Sequence, residues 1–435
     1  MASLTATLFA GGIICLLAVT HFRNRFQRNP YPPGPKGIPL LGNIWDIPRP
    51  DEAFKYSRYS KMFDGIYHLS ALGTHIVGIS CPKIADDLLV KRASNYSDRP
   101  NMPMLNELGW EFAIPTMHSD DRWKRHRKLF DTRFRPANIP SHHSKIRAST
   151  LRFLGDLLKS PTNLREHTSR LVASISIHIV YGSAVEKHVD HLTDIAEQAI
   201  SILKCATPGA YMVDRIPLLK YVPSWFPGAG FKQTALRWRQ ITREMVEFPF
   251  NIVWDAMVDN TASPCFVVDA IDSLKASGAE LNSTEIDIIR NCAGVGYPGM
   301  RCLLTQISNM KELNVYVYLN AFQLQEIQCV SGSMLFSVTG LIELQTGSAV
   351  LSFFLAMMLH PEIQRRAQAE LDFVCPERLP EFSDRQNLPY IDALCTELLR
   401  WSSIGPIAFP HTTSEDDTYN GYFIPARTIV VADSL

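Results

Sequence analysis

"YIDALCTELLRW", residues 390 to 401, sets an acid and a guanidinium on a stretch that is otherwise apolar. Ile391, Leu394, Leu398 and Leu399 recur at the spacing of one helix face. Glu397 and Arg400 are three residues apart, so a helix turns both the same way. An exposed pair of this kind stabilises little. A buried pair costs desolvation and persists only where further hydrogen bonds satisfy both groups. The apolar neighbours favour burial, and burial is the expectation for Glu397 and Arg400.

The same periodicity continues upstream. Residues 121 to 133, 144 to 159, 163 to 181, 190 to 205, 233 to 258, 284 to 296, 347 to 359 and 361 to 374 read as helices, ending with 388 to 401. "DGIYHLSALGTHIVGIS" (64 to 80) alternates around a Gly-containing turn and reads as a hairpin. The helix after it begins at Pro82. "GPIAFPHTT" and "TIVVA" read as short strands. The fold class is therefore mainly α with a small antiparallel sheet contributed from both ends of the chain.

At the N-terminus, "LTATLFAGGIICLLAV" (4 to 19) carries no charge, and Arg23, Arg25 and Arg28 follow it. A membrane span needs roughly 17–25 apolar residues. The basic residues come after the apolar run, unlike those of a cleaved signal peptide. We read residues 1–21 as a retained transmembrane helix with its positive flank in the cytosol. Residues 22–43 form the basic flank and a hinge, "NPYPPGPKGIPLLGN", whose prolines forbid a helix. Residues 44–435 read as one large domain.

The 43 basic and 43 acidic residues balance, and no basic block is long, which excludes a nucleic-acid partner on charge. The 9 cysteines are dispersed with no CxxC pair. That argues against zinc ribbons and dithiol motifs and suits reduced thiols on the cytosolic side of a membrane. In "DDRWKRHRKLF" (120 to 130), Trp123 and Arg127 share a helix face; an indole N–H beside a guanidinium suits a buried anion, while a solvated basic helix is the plainer alternative. "YSDRP" (96 to 100) sits on a loop, and "YVPSWFPGAGF" (221 to 231) is a Pro- and aromatic-rich turn. "HVDH" (188 to 191) reads as a solvated helix face, and the acceptors "NYS" (95 to 97) and "NST" (282 to 284) as unused in the cytosol.

Taken in order, these residues resemble the cytochrome P-450 family of membrane-anchored haem-thiolate monooxygenases. The resemblance rests on the anchor, "PPGPKGIPLLGN", "YSDRP", Trp123 with Arg127, "LHPEIQRRAQAELD" (359 to 372), Glu397 with Arg400, and "PHTTSEDDTYNGYFIP" (410 to 425). It covers about 29 to 298 and 345 to 432, and its flavour is that of fungal enzymes of secondary metabolism. It implies haem as cofactor, with Trp123, Arg127 and His411 at its propionates. Glu397 and Arg400 become a structural lock, paired with a downstream loop. Thr346 becomes the residue of oxygen activation. The implied partners are NADPH-cytochrome P-450 reductase, an apolar small-molecule substrate and the endoplasmic reticulum membrane.

Two departures from the family pattern stand out. The family's iron-binding Cys lies in an F-x-x-G-x-R-x-C-x-G segment, and no such segment precedes Leu435. The fold is thus expected to be incomplete at the C-terminus, with no metal ligand in this chain. The central helix should read A-G-x-D/E-T without a break. Here "NCAGVGYPG" (291 to 299) is separated from "QTGSAVLSFFLAMMLHP" (345 to 361) by residues 300–344, which resemble nothing in the family. A loop of that size in a core helix runs against usual connection lengths, so retained intron is the favoured reading. The function implied is a monooxygenase hydroxylating an apolar small molecule; the alternative is a non-catalytic remnant unable to ligate haem.

Overall fold

A computed structural model describes residues 30–39, 41–47, 53–205, 211–215, 217–225, 230–278, 282–299, 346–401 and 408–432. The expected anchor (1–21), much of its basic flank and the 300–344 segment lie outside the described residues. Among the described residues, no helix is long and apolar enough to cross a membrane. The chain divides into two units, residues 1–100 with 407–435, and residues 101–406.

The first unit is built on a sheet. Helix α1 (Ala53–Met62) leads into strands β1 (Ile66–Ala71) and β2 (Thr74–Ile79). These pair antiparallel across Leu72 and Gly73, both with positive φ, the backbone a two-residue hairpin turn requires. Tyr67 lies opposite Gly78, and an added Cβ there would fall 2.0 Å from the Tyr67 ring, so only glycine admits the ring. From the other end of the chain come β3 (His411–Thr412), β4 (Asp417–Tyr419), β5 (Tyr422–Ile424) and β6 (Ile429–Ala432). The order is β1-β2-β6-β3, with β4 and β5 a separate hairpin. β6 runs parallel to β2, so the sheet is mixed and the antiparallel expectation is corrected. A parallel pair needs a crossover, and here all of the second unit's sequence intervenes.

Contacts within this unit fix the "YSDRP" loop. Tyr96 is fully buried and donates to Asp417 at 2.9 Å. Arg92 donates to both oxygens of the same carboxylate at 2.8 and 2.7 Å. The Thr412 N–H donates to the Asp98 carbonyl at 2.8 Å, joining the loop to β3.

The second unit is helical: α2 (Asp121–Phe134), α3 (His143–Lys159), α4 (Leu164–Val180), α5 (Val189–Cys205), α6 (Gly230–Val258), α7 (Phe266–Ala276), α8 (Ser283–Gly299), α9 (Thr346–Leu359), α10 (Pro361–Val374) and α11 (Pro389–Trp401). The helical expectations match these bounds within a few residues; α7 was not anticipated. α4 is buried on nearly every side, as a central helix must be. Its Ala173, Ile177 and Val180 join a cluster with Ala293 and Tyr297 of α8. Its Leu171, Ile175 and Ile179 join another with Phe353 of α9 and Leu398 of α11. Small residues let α8 approach its neighbours. A Cβ at Gly294 would sit 2.9 Å from Val246 of α6, and one at Gly296 would sit 3.2 Å from Val180 of α4. The start of α11 is capped from α10: Glu370 accepts from the Tyr390 and Ile391 N–H groups, both at 2.9 Å.

Candidate functional site

Helix α2 carries Trp123 and Arg127. Asp120 starts the helix by accepting from the Trp123 N–H at 2.8 Å. Trp123 is half-buried and packs on the cluster around α8. Arg127 is exposed, and its Nε donates to Asp131 at 2.7 Å. The anion facing Arg127 is thus a carboxylate of its own helix, one turn on.

The residue that ties α2 to α8 is His126, between the two. It is 1 % exposed. Its Nδ1–H donates to the Arg122 carbonyl at 2.8 Å, leaving Nε2 to accept from the Asn291 amide at 3.3 Å. The Cys292 thiol donates to the His126 carbonyl at 3.5 Å. Burial is the chief cause holding the His126 imidazole below its ordinary pKa, which keeps it neutral in this role. Sequence spacing passed over His126 because it sits inside a run of basic residues.

Thr346 is the first residue of α9, and its side chain lies outside the described part. The residues just before it lie outside it as well.

Glu397 and Arg400 do pair: Arg400 donates through Nε and Nη2 to the two carboxylate oxygens, at 2.7 and 2.5 Å. They are not buried. Their side chains are 58 % and 72 % exposed, which corrects the expectation of burial. The buried stripe of α11 is Ile391, Cys395 and Leu398. At about 100° per residue, Glu397 and Arg400 fall on the far side of the helix from that stripe. The bidentate contact lowers the Glu397 pKa, the hydrogen bond from Arg400 being the main cause.

His411 belongs to the sheet unit. It starts β3 opposite Val430. Its Nδ1 is buried without a partner, while the ring hydrogen-bonds the Tyr96 backbone. Burial, then the neighbouring Arg99 charge, lowers its pKa to about 4. Arg99, from "YSDRP", donates to the Phe409 and Pro410 carbonyls at 2.9 Å each, which places it beside this strand. The Arg99 guanidinium beside His411 suits a carboxylate oxygen, such as the carboxylate edge of haem would supply. Sequence reading quoted Arg99 only as part of a loop.

Burial pushes the Cys292 thiol up to about 12 and raises that of Cys265. The Cys375 thiol donates to Asp384 at 3.6 Å. Cys395 is packed with Ile391 and Leu398, and Cys81 packs on the sheet unit's core. Burial is the chief cause that disfavours a thiolate at Cys265 and Cys292. "HVDH" is a solvated surface, as expected: His188 and His191 are exposed, edge-on to Phe248. Among the described residues there is no cluster of metal-ligating side chains.

Comparison with known proteins agrees with the resemblance. The family model for cytochrome P450 matches residues 32–248 and 322–434, the second match starting inside the 300–344 segment. The chain is 32 % identical to the cytochrome P450 monooxygenase COX2 of Coprinopsis cinerea, over 97 % of this chain and 72 % of that protein. It is 33 % identical to a cytochrome P450 monooxygenase of Armillaria gallica, over 100 % of this chain and 77 % of that protein. It is 32 % identical to the tryptamine 4-monooxygenase of Psilocybe cyanescens, over 94 % and 73 %.

Proposed function

The chain belongs to the cytochrome P450 family, whose cofactor is haem, and from that premise we propose a monooxygenase that hydroxylates an apolar small molecule in fungal secondary metabolism. Electrons come from a membrane-bound NADPH-dependent reductase, and residues 1–21 anchor the chain in the endoplasmic reticulum membrane. The observation that carries the reading within this chain is the Arg99 guanidinium held beside His411 of β3. His411 and Arg99 hold the cofactor's carboxylates there, and Trp123 is assigned to the same class of contact. When bound, haem supplies the activation of O₂. Thr346 is assigned to hold a proton for that step. His126 keeps α2 in place against α8, so that Trp123 is presented from a fixed helix.

A substrate screen starts with aromatic amines, because one 32 % identical relative is named for tryptamine. The test is expression of the full transcript in a fungal host, followed by the carbon-monoxide difference spectrum of reduced microsomes. A thiolate-type absorption band supports the proposal. A stable, haem-free protein in the membrane fraction overturns it in favour of a non-catalytic remnant.

A further inference from the structure

A second candidate site lies in the helical unit, on residues that the haem contacts do not use. A cavity of about 680 Å³ opens where the end of α2, the start of α3, the end of α4 and the start of α7 converge. That volume is within the range of small-molecule pockets. Two of its lining groups carry buried nitrogens with no hydrogen-bond partner, Arg133 Nε and His142 Nε2. An unpaired buried polar group costs free energy, so the Arg133 Nε–H and, as the Nε2–H tautomer, His142 on the wall of one cavity point to a missing acceptor.

Several surrounding polar groups are already committed. Arg133 Nη2 donates to the Asp269 carbonyl at 2.8 Å and to the Ser273 hydroxyl. Lys145 Nζ donates to the Pro264 carbonyl at 2.8 Å. His178 Nδ1–H donates to the Ser174 carbonyl at 2.7 Å. The Ser263 hydroxyl accepts from the Ser183 N–H at 2.8 Å. One wall is apolar: Phe134 stacks on Phe266 with centroids 5.2 Å apart, next to Ile179.

Charge selects the ligand. The lining holds two cations, Arg133 and Lys145, and one carboxylate, Asp269. His142 is kept neutral, chiefly by burial and then by Lys145 and His143. The excess is one positive charge, which matches a monoanion better than a phosphate dianion. The start of α7 adds a positive helix end.

We propose that this cavity binds an organic monocarboxylate, its anion taken by the free nitrogens of Arg133 and His142 and its apolar body laid on Phe134 and Phe266.

The test is calorimetric titration of the full-length protein with benzoate, benzyl alcohol and inorganic phosphate. Three variants are compared: R133K keeps the charge without Nε, H142A removes the second nitrogen, and S144W fills the exposed rim away from the core. Each is checked for an unchanged far-ultraviolet dichroism spectrum and haem spectrum. Benzoate should bind, benzyl alcohol and phosphate at least tenfold more weakly. R133K and H142A should each weaken benzoate about tenfold, and S144W should abolish it. No binding of benzoate, equal binding of benzyl alcohol, preference for phosphate, or benzoate binding unchanged in R133K, H142A or S144W would overturn the assignment. Because the haem spectrum is read in parallel, failure here leaves the monooxygenase reading standing.

Discussion

Two tyrosines in one core should respond with opposite signs to the same substitution. Tyr181 and Tyr297 are both fully buried and meet edge to face, with centroids 5.8 Å apart. Tyr297 donates its hydroxyl to the Leu192 carbonyl at 3.0 Å. The Tyr181 hydroxyl is buried with no hydrogen-bond partner. A satisfied hydrogen bond contributes a net of about 1 kcal/mol, whereas an unsatisfied buried group costs about 1–3 kcal/mol. Tyr297→Phe is therefore expected to destabilise by about 1 kcal/mol, and Tyr181→Phe to stabilise by at least about 1 kcal/mol. Both leave the ring contact in place, so packing changes little. In a large domain 1 kcal/mol moves the thermal midpoint by roughly 2–4 °C. The assay is urea unfolding followed by circular dichroism, with unchanged m-values required before midpoints are compared. A destabilised Tyr181→Phe would refute the reasoning, because it would mean that the hydroxyl has a partner, such as a bound water.

Three further outcomes follow from single contacts. Glu370→Ala removes the acceptor of two N–H groups at the start of α11, and should cost about 0.5–2 kcal/mol in urea unfolding. His411→Ala removes the nitrogen assigned to the cofactor's carboxylates, and should lower haem content per protein after dialysis, while His411→Arg retains it; equal haem content in all three proteins counts against the assignment. The third concerns pH. His68, with its Nε2 2.9 Å from His75 Nδ1, has its pKa lowered from 6.5 to about 4, by burial first and by His75 second. Between those values the unfolded chain binds more protons than the folded one, so stability is full above about pH 6.5 and falls as pH drops toward about 4. His68→Phe should flatten that slope, as read from urea midpoints at several pH values.

Helices were legible in the sequence because periodicity is a local signal. α4 and α11 follow it within a residue or two. The β4–β5 hairpin was equally legible and passed over: Asn420 and Gly421 both take positive φ, the strongest short signal for a two-residue turn. The parallel pairing of β2 with β6 was not legible, since nothing local links residues 76–79 to 429–432. Pairings at such separation are decided by the whole fold.

The site residues divide along the same line. Spacing established that Glu397 and Arg400 share a face, but a face is only half of a location. Which face is buried depends on what α11 packs against, here α9 and α10 rather than anything reached from Glu397. The apolar neighbours that suggested burial are the packing stripe itself, and they turn the pair outward. His126 shows the converse. Within "WKRHR" it looks like one more solvated base, yet α8 approaches closely enough to enclose it, and Asn291 and Cys292 supply its partners. That approach depends on Gly294 and Gly296, where a Cβ would lie 2.9 Å from Val246 and 3.2 Å from Val180. The small residues that looked in the sequence like half of an oxygen-activation motif thus have a packing role that is enough to require them. The chemistry assigned to that motif therefore has to be tested on Thr346, the first residue of α9.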